Sequence, residues 1–384
     1  MNKEDLFALQ PAPFPESVYA AVKDNWNHVA KPLDGLGVLE EMLCTIGAVQ
    51  ETTHPQLDPR ALVILCADNG VVQEGVSQSG QDVTLAVARN MGNLRSSVCK
   101  MAEIAKARVI TVDIGINSGE EIPGVRNRKV RRGTRDFLQE PAMTEEELLQ
   151  AVRTGIELAG ELRKTGIRLI ATGEMGIGNT TTSTAVAAGI LGLNVDEITG
   201  KGAGLSSAGI RRKKQVIREG LKKYGFLKEG EAADPPAILS GRKSKSAGDF
   251  PEDVLNEKER TFRILRCVGG LDIAGLCGVF IGGAIFRVPV IIDGLISAAA
   301  ALCAEHLVPG TRNFMLASHA GAEPGMRDIL SHLGLSEIIH ARLALGEGTG
   351  AVMLFPLLDM ANAVYRESGS FAEIGVEQYE RNQS

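Results

Sequence analysis

Short, continuously apolar runs alternate with longer amphipathic stretches along most of the chain, and this alternation limits the fold more than any other feature. The runs cover residues 61–66, 108–114, 167–171, 288–292 and 313–317. A strand that is apolar on both faces must be covered on both faces, and helices between consecutive strands provide that cover. The sequence therefore predicts an α/β fold with a parallel sheet between two layers of helices.

The predicted helices fill the intervals between these strands and both ends of the chain. They cover residues 83–106, 144–165, 180–191, 207–224, 257–267, 273–286, 295–306 and 350–366, and residues 1–55 form a further helical region that is broken by prolines. Residues 226–260 interrupt this rhythm, because they are rich in charged residues, Gly and Pro. We expect an exposed, mobile insertion there, and a lid over a site is the alternative.

Composition and charge exclude several classes of protein. The 41 Lys and Arg against 47 Asp and Glu give a net charge of −6, whereas nucleic-acid binders usually carry a basic surplus. The six cysteines have no C-x-x-C spacing, which argues against a zinc site. The acidic, proline-containing N-terminus is unlike a signal peptide, and charges and a proline interrupt the most apolar stretch, 273–296. We expect a cytoplasmic protein that has neither nucleic acid nor a membrane as its partner.

Polar loops follow the predicted strands. The loops are ADNG from Ala67, DIG from Asp113, TGEMGIGNT from Thr172, DG from Asp293 and SHAGAEPG from Ser318. The carboxyl ends of parallel strands lie at one edge of the sheet, and ligands of open α/β sheets bind outside that edge. The sequence therefore predicts a single site built from several loops.

The loop GEMGIGNTTT offers a phosphate site. Its three glycines allow a tight turn, and Asn179 and Thr180 can cap the following helix, whose N-terminus favours an anion. The loop matches neither G-x-G-x-x-G nor the P-loop pattern, so no standard nucleotide motif applies. A tight, capped turn without a ligand is the alternative interpretation.

Several acidic side chains and one histidine are candidates for chemistry. Glu174 and Glu347 lie among glycines, where desolvation raises the pKa of a carboxyl group toward that of a useful general base; an exposed or helix-capping glutamate is the alternative. His319 could be a base, a ligand or a hydrogen-bonded structural residue. The strand-end aspartates offer either metal ligands or turn caps; they are Asp68, Asp113 and Asp293. The basic run 211–214 predicts a solvated face for most of its four residues.

Seven blocks together resemble the nicotinate-nucleotide–dimethylbenzimidazole phosphoribosyltransferases of cobalamin nucleotide-loop assembly. The blocks are KPLDGLGVLE from Lys31, ADNGVVQEGVS from Ala67, GEMGIGNTTT from Gly173, GKGAGL from Gly200, RVPVIIDGLISAAAAL from Arg287, SHAGAEPG from Ser318 and LGEGTGAVMLFPLL from Leu345. They occur in the order typical of that family and span most of the chain.

This resemblance implies a reaction and a set of site residues. The ribosyl phosphate of nicotinate mononucleotide passes to a ring nitrogen of dimethylbenzimidazole, and nicotinate leaves. By match to the family's blocks, Glu347 is the general base and Glu174 a second catalytic carboxylate. The phosphate-binding residues are Gly176, Ile177, Gly178, Asn179, Thr180 and Lys213, and the base pocket includes Ser77 and Leu345. The reaction needs neither a metal nor a cofactor.

The resemblance also implies an architecture. A doubly wound, Rossmann-like catalytic domain would cover residues 56–350, and a small helical domain would combine 1–55 with 351–384 from both chain ends. The family forms homodimers, so we expect one here.

Some residues depart from the family's pattern. Asn69, Gly321 and Met326 stand where His, Ser and His are common, and the stretch around 86–88 lacks a frequent Gln, so the accepted base is open. Two other functions also stay open. One is a non-catalytic protein that binds pyridine nucleotide or benzimidazole, and the other is a different ribosyl-phosphate transferase on the same fold. Retention of Glu174 and Glu347 favours an enzyme.

Overall fold

A six-stranded, fully parallel sheet forms the centre of the computed structural model, which describes residues 1–202, 204–227 and 252–379, without the side chains of 252–255. The strands are β1 (Arg60–Ala67), β2 (Arg108–Gly115), β3 (Arg126–Asn127), β4 (Leu169–Met175), β5 (Val290–Ile292) and β6 (Met315–Ala317). Their order is β3-β2-β1-β4-β5-β6, which is that of a doubly wound sheet with its switch point between β1 and β4. The predicted fold class is confirmed, although the two-residue β3 was not predicted.

Helices connect the strands and cover both faces of the sheet. They are α1 (Lys3–Ala8), α2 (Glu16–His28), α3 (Val38–Val49), α4 (Asp82–Gly92), α5 (Ser97–Ile104), α6 (Glu145–Lys164), α7 (Asn179–Leu191), α8 (Val195–Ile198), α9 (Ser207–Lys223), α10 (Glu252–Val268), α11 (Leu271–Phe286), α12 (Leu295–Leu307), α13 (Gly325–Leu333), α14 (Thr349–Glu367) and α15 (Phe371–Ile374). Two predicted boundaries were wrong. The single helix predicted over 83–106 is α4 and α5, which are separated by a turn with Leu94 in the left-handed region. Helix α10 begins inside the expected insertion 226–260, of which residues 228–251 lie outside the described residues.

Strand β1 contributes side chains to two apolar cores, one on each face of the sheet. All eight of its residues are buried. Because side chains alternate across a strand, Val63 and Leu65 face one apolar cluster with α6, α7, α11 and α12. Leu62 and Ile64 face a second cluster with α2, α3, α4, α5 and α14. The continuous apolar run therefore supplies both cores at once.

The helices from the two chain ends pack on each other. The rings of Trp26 in α2 and Tyr365 in α14 lie 4.9 Å apart. Arg60 at the start of β1 donates two hydrogen bonds, of 2.7 and 2.8 Å, to the Asp359 carboxylate in α14. These helices share the second core with one face of the sheet. The division into a 56–350 domain and a terminal helical domain stays a prediction.

None of the helices among the described residues is both long enough and apolar enough to cross a lipid bilayer.

Helices α6 and α11 cross at unusually short range. A Cβ added at Gly155 would lie 2.0 Å from the Gly275 carbonyl oxygen, and one at Gly278 would lie 2.0 Å from the Val152 carbonyl oxygen. Side chains at these positions would push the two backbones apart. Glycine is therefore required here for packing.

We expect Gly155→Ala to lower the free energy of unfolding by at least about 2 kcal/mol because the added methyl overpacks the crossing. Helix propensity alone predicts the opposite sign, a gain of about 1 kcal/mol. Urea unfolding followed by circular dichroism measures the difference. Arg153→Ala, an exposed change in the same helix, is the control. It should lower the free energy of unfolding by only a few tenths of the decrease expected for Gly155→Ala. A Gly155→Ala protein as stable as the parent would refute the packing argument.

Candidate active site

The loops after β1 and β4 meet at the switch point of the sheet. A Cβ at Gly176 would lie 2.2 Å from the Ala67 carbonyl oxygen, and the Asn69 N–H donates to the Ile177 carbonyl oxygen at 3.3 Å. Gly178 has φ +93°, and a side chain there would collide with Val72. The glycines of this loop therefore permit the close approach that brings the polar strand ends together.

Two buried carboxylates share one amide at this point. Glu174, near the end of β4, is 8% exposed, and Asp272, at the start of α11, is fully buried. The Asn179 Nδ2 group donates to Glu174 Oε2 and also to Asp272 Oδ2, the latter at 3.2 Å. The prediction that Asn179 or Thr180 caps α7 was wrong, because Gly178 is the N-cap residue and no described side chain caps this helix. The Asn179 side chain instead holds two carboxylates.

Burial and mutual repulsion favour the protonated forms of these acids. Burial, with Asp272 and Asp293 adding to it, raises the pKa of Glu174 to about 8. Burial raises the pKa of Asp272 to about 6, and the Asn179 hydrogen bond opposes this shift. Near neutral pH, proton transfer at Glu174 is therefore accessible.

Glu347 reaches the same site from the loop before α14. Its φ is +60°, between Gly346 and Gly348, which are also left-handed. The Glu347 backbone lies directly on β4, since a Cβ at Gly173 would be 2.4 Å from the Glu347 carbonyl oxygen. A Cβ at Gly346 would be 2.8 Å from Glu174 Oε1. Adjacent glycines therefore bring the Glu347 segment against Glu174.

The Glu347 carboxylate lies near the N-terminus of α5. Burial raises the pKa of Glu347, while the Val98 N–H and the Ser96 hydroxyl favour its ionised form. Its Oε2 atom is buried and has no hydrogen-bond partner among the described residues. One carboxylate oxygen thus remains available to accept a proton.

Asp293 and His319 contact the segment that carries Glu347 and the start of α14. Asp293 accepts hydrogen bonds from the N–H groups of Gly348 at 3.1 Å and Ala351 at 3.0 Å, so it caps α14. His319 Nδ1 lies 2.9 Å from Ser318 Oγ and 4.0 Å from Asp293 Oδ1. These contacts agree with the structural alternative for His319.

Lys213 lies behind the N-terminus of α7 rather than on a solvated face. It is fully buried, and its Nζ donates to Thr180 Oγ1 at 2.9 Å and to the Gly200 carbonyl at 3.3 Å. Burial lowers the pKa of Lys213 to about 8, and Glu323 partly opposes that shift. The solvated face expected for most of the run 211–214 therefore does not include Lys213. The N–H of Ile177, another predicted phosphate-binding residue, donates a hydrogen bond to Thr84 Oγ1 at 3.1 Å.

The predicted base-pocket residues lie on two different loops. Ser77 Oγ accepts a hydrogen bond from the Ser79 N–H at 3.2 Å, and the neighbouring Gln78 side chain donates to the Gly204 carbonyl. Leu345 is 52% exposed beside Gly346. The Ser77 segment therefore contacts the GKGAGL block, whereas Leu345 lies next to the carboxylates.

The other strand-end aspartates bind backbone or basic groups. Asp68 Oδ2 accepts from the Asn117 N–H at 2.8 Å, and Asp113 accepts from the Ile116 N–H at 2.9 Å and pairs with Lys129 at 3.0 Å. These contacts favour the turn-capping alternative. Within the described ranges, no group of three or more His, Cys, Asp or Glu is arranged to hold a metal ion.

Sequence reasoning missed Asp272, Thr84, Ser96 and Glu323. Asp272 follows Gly269-Gly270 at a predicted helix start, and this acidic N-terminus was the only available signal. Glu323 Oε1 accepts from the Gly202 N–H at 2.9 Å, so it fixes the GKGAGL block beside Lys213.

The departures from the family pattern fall in different surroundings. Asn69 is buried beside the loop after β4, and a Cβ at Gly321 would lie 3.6 Å from His319 Nε2. Met326 and Ala88 are fully buried, each in one of the two apolar cores. The last two therefore fill the protein interior.

Fold and site define the class as an α/β enzyme whose site lies at the switch point of a doubly wound sheet. A family model described as phosphoribosyltransferase matches residues 12–242 and 251–376. Nicotinate-nucleotide–dimethylbenzimidazole phosphoribosyltransferases from Ruminiclostridium cellulolyticum and Clostridium acetobutylicum are each 38% identical to the chain. The alignments cover 92% of both chains in the first case and 94% of both in the second.

A solved structure supports the same assignment. The crystal structure of CobT from Thermus thermophilus has a TM-score of 0.81 and 34% identity, with 95% of this chain and 100% of that chain covered. The chain belongs to the nicotinate-nucleotide–dimethylbenzimidazole phosphoribosyltransferase family, which confirms the resemblance read from its sequence blocks.

The raised pKa of Glu174 makes the stability of the ligand-free protein depend on pH. Between the ordinary pKa of 4.5 and about 8, the folded state keeps a proton that the unfolded state loses, so stability falls as pH rises. We expect Glu174 to contribute a decline of at most about 1.4 kcal/mol per pH unit over this window, measured by urea unfolding.

Glu174→Gln should flatten this decline, because its side chain does not titrate. Glu103→Gln, an exposed change, serves as the control and should leave the slope unchanged. A slope that is equal in all three proteins would contradict a buried, protonated Glu174.

Proposed function

We propose that the chain transfers the 5-phosphoribosyl group of nicotinate mononucleotide to dimethylbenzimidazole or a related base, giving α-ribazole 5′-phosphate and nicotinate. The observation that carries the proposal is the group of carboxylates held at the switch point by a chain of this family. Carboxylates in a low-dielectric site favour a ligand that brings positive charge, and nicotinate mononucleotide carries a pyridinium ring.

Bond cleavage at the donor leaves positive charge on the ribosyl carbon. The bond between that carbon and the pyridinium nitrogen breaks, its electron pair returns to the ring, and nicotinate departs with a neutral ring. Glu174 in its ionised form would stabilise the cationic ribosyl group. The acceptor nitrogen attacks from the opposite face, so the configuration at the anomeric carbon inverts.

The acceptor base must lose its N–H proton as the new bond forms. Glu347 would accept that proton, and its Oε2 atom, which has no hydrogen-bond partner in the described part of the chain, supports this role. Ser77 and Leu345 would contact the flat heterocycle. The backbone contacts at Gly173 and Gly346 support a fixed distance between the two catalytic carboxylates.

The 5′-phosphate would bind at the N-terminus of α7. Gly176, Ile177, Gly178, Asn179 and Thr180 form the loop, and Lys213 adds positive charge through its contact with Thr180. Asn179 would act through Glu174 and Asp272 rather than on the phosphate, given its hydrogen bonds.

Two further elements of the proposal concern the cell. The six cysteines are free thiols, which supports a reducing compartment such as the cytoplasm. We also propose a homodimer on the family resemblance, and sedimentation of the purified protein tests it.

Product analysis tests the proposed reaction directly. The protein is mixed with nicotinate mononucleotide and dimethylbenzimidazole, and α-ribazole phosphate is identified by mass. Ligand binding without a product would instead favour a non-catalytic binding protein. Product formation only from a pyrophosphate donor would favour another ribosyl-phosphate transferase.

We expect Glu347→Gln to lower kcat by about 10²- to 10⁴-fold, because the amide keeps the shape of the side chain but cannot accept the proton. Calorimetry should show that nicotinate mononucleotide still binds. The exposed change Glu377→Gln is the control and should retain full activity. Near-normal turnover of Glu347→Gln at neutral pH would exclude Glu347 as the base.

We expect Lys213→Met to weaken use of the mononucleotide by roughly 10- to 100-fold relative to the unphosphorylated nucleoside, because a charged partner of the phosphate is lost. In the parent protein the KM for the mononucleotide should rise above pH 8, where Lys213 loses its proton. Lys214→Met is the matched control, since Lys214 Nζ donates to the Asp196 carbonyl instead. Equal losses for nucleotide and nucleoside would show that Lys213 does not sense the phosphate.

A further inference from the structure

Asp272 lies in the site without a role in the reaction proposed above. It is fully buried at the start of α11, and it accepts a hydrogen bond from the same Asn179 Nδ2 group as Glu174. A Cβ at Gly176 would lie 3.0 Å from Asp272 Oδ2, and a Cβ at Gly270 would lie 2.4 Å from Asp272 Oδ1. Asp272 is therefore held tightly against the loop after β4 by residues that lack side chains.

A single nitrogen atom, Asn179 Nδ2, donates hydrogen bonds to both acids. This nitrogen has two N–H donors, and they are directed at Glu174 and Asp272. The Ile273 N–H adds a hydrogen bond to Asp272 Oδ1 at 3.0 Å. Two ionised carboxylates that accept from one neutral amide would repel each other strongly in a buried site.

The surrounding titratable groups add repulsion from several elements of the fold. The groups that face Glu174 or Asp272 are Asp293 after β5, Glu347 before α14, Asp68 after β1 and the buried Cys66 thiol in β1, with His319 beyond Asp293. All but His319 are acids. The site is therefore short of positive charge until a ligand supplies it.

We propose that Glu174 and Asp272, joined by the Asn179 amide, share one proton in the ligand-free protein, that this proton passes to solvent when the cationic donor binds, and that Asp272 is thereby a positioning residue for Glu174. The inference rests on the proposed function, because the pyridinium nucleotide supplies the positive charge. Loss of the proton leaves Glu174 ionised, which is the form that stabilises the ribosyl cation. Asp272 itself touches neither substrate in this scheme.

Asp272→Asn separates charge from shape, because the asparagine oxygen can still accept from Asn179. Calorimetric titration with nicotinate mononucleotide in buffers of different ionisation enthalpy counts the protons released. At pH 7 we expect the variant to release at least roughly half a proton less than the parent protein. Lys213 is present in both proteins, so its own proton uptake cancels in this difference. Asp328→Asn, an exposed change in α13, should behave like the parent.

The pH profile gives a second readout that a merely structural role would not move. Removing the negative charge of Asp272 should shift the acid limb of the kcat/KM profile about one pH unit lower. Relative to the parent protein, the variant should therefore lose least activity below pH 7. An equal loss at every pH, together with unchanged proton release, would overturn the inference.

The parent protein alone also tests the proposal if Asp272→Asn fails to fold. Infrared difference spectra on donor binding should then show the loss of a protonated carboxyl band, and an unchanged band would overturn the inference. Donor binding that releases a proton without any ribosyl transfer would refute the proposed function but not the shared proton. Ribosyl transfer by a protein that releases no proton when the donor alone binds would refute only the shared proton.

Discussion

The double burial of β1 is the constraint on which the rest of the molecule depends. Its even-numbered and odd-numbered side chains enter different cores, so helices must cover both faces of the sheet. Winding helices onto both faces from a central strand creates a switch point between β1 and β4. The site lies at this switch point because the polar carboxyl ends of β1 and β4 extend beyond both apolar cores.

Much of this arrangement could be predicted from the sequence, because burial leaves a periodic pattern. Five of the six strands and most of the helices in the described residues follow directly from apolar runs and amphipathic stretches. Strand β3 has two residues and no such pattern. The break between α4 and α5 depends on Leu94 adopting a left-handed backbone, which its side chain does not indicate.

The site was predicted where residues belong to recognisable loops and missed where contacts join distant segments. Glu174 and Glu347 stand among glycines and were evident, and the structure brings them to one place. Asp272 and Asn179 are 93 residues apart, so their hydrogen bond has no local signature. Lys213 resembles its basic neighbours in the sequence, and only the packing of α9 against α7 distinguishes its buried surroundings from theirs.

The path of the chain has a consequence for the order in which the site forms. Strands β1, β2 and β4 all precede residue 176, whereas Gly346 and Glu347 come near the end of the chain. During synthesis, the N-terminal strands can pair before the segment that covers Glu174 exists. Because Gly346 and Glu347 cover Glu174 from near the end of the sequence, the site is complete only when this C-terminal segment has docked on β4.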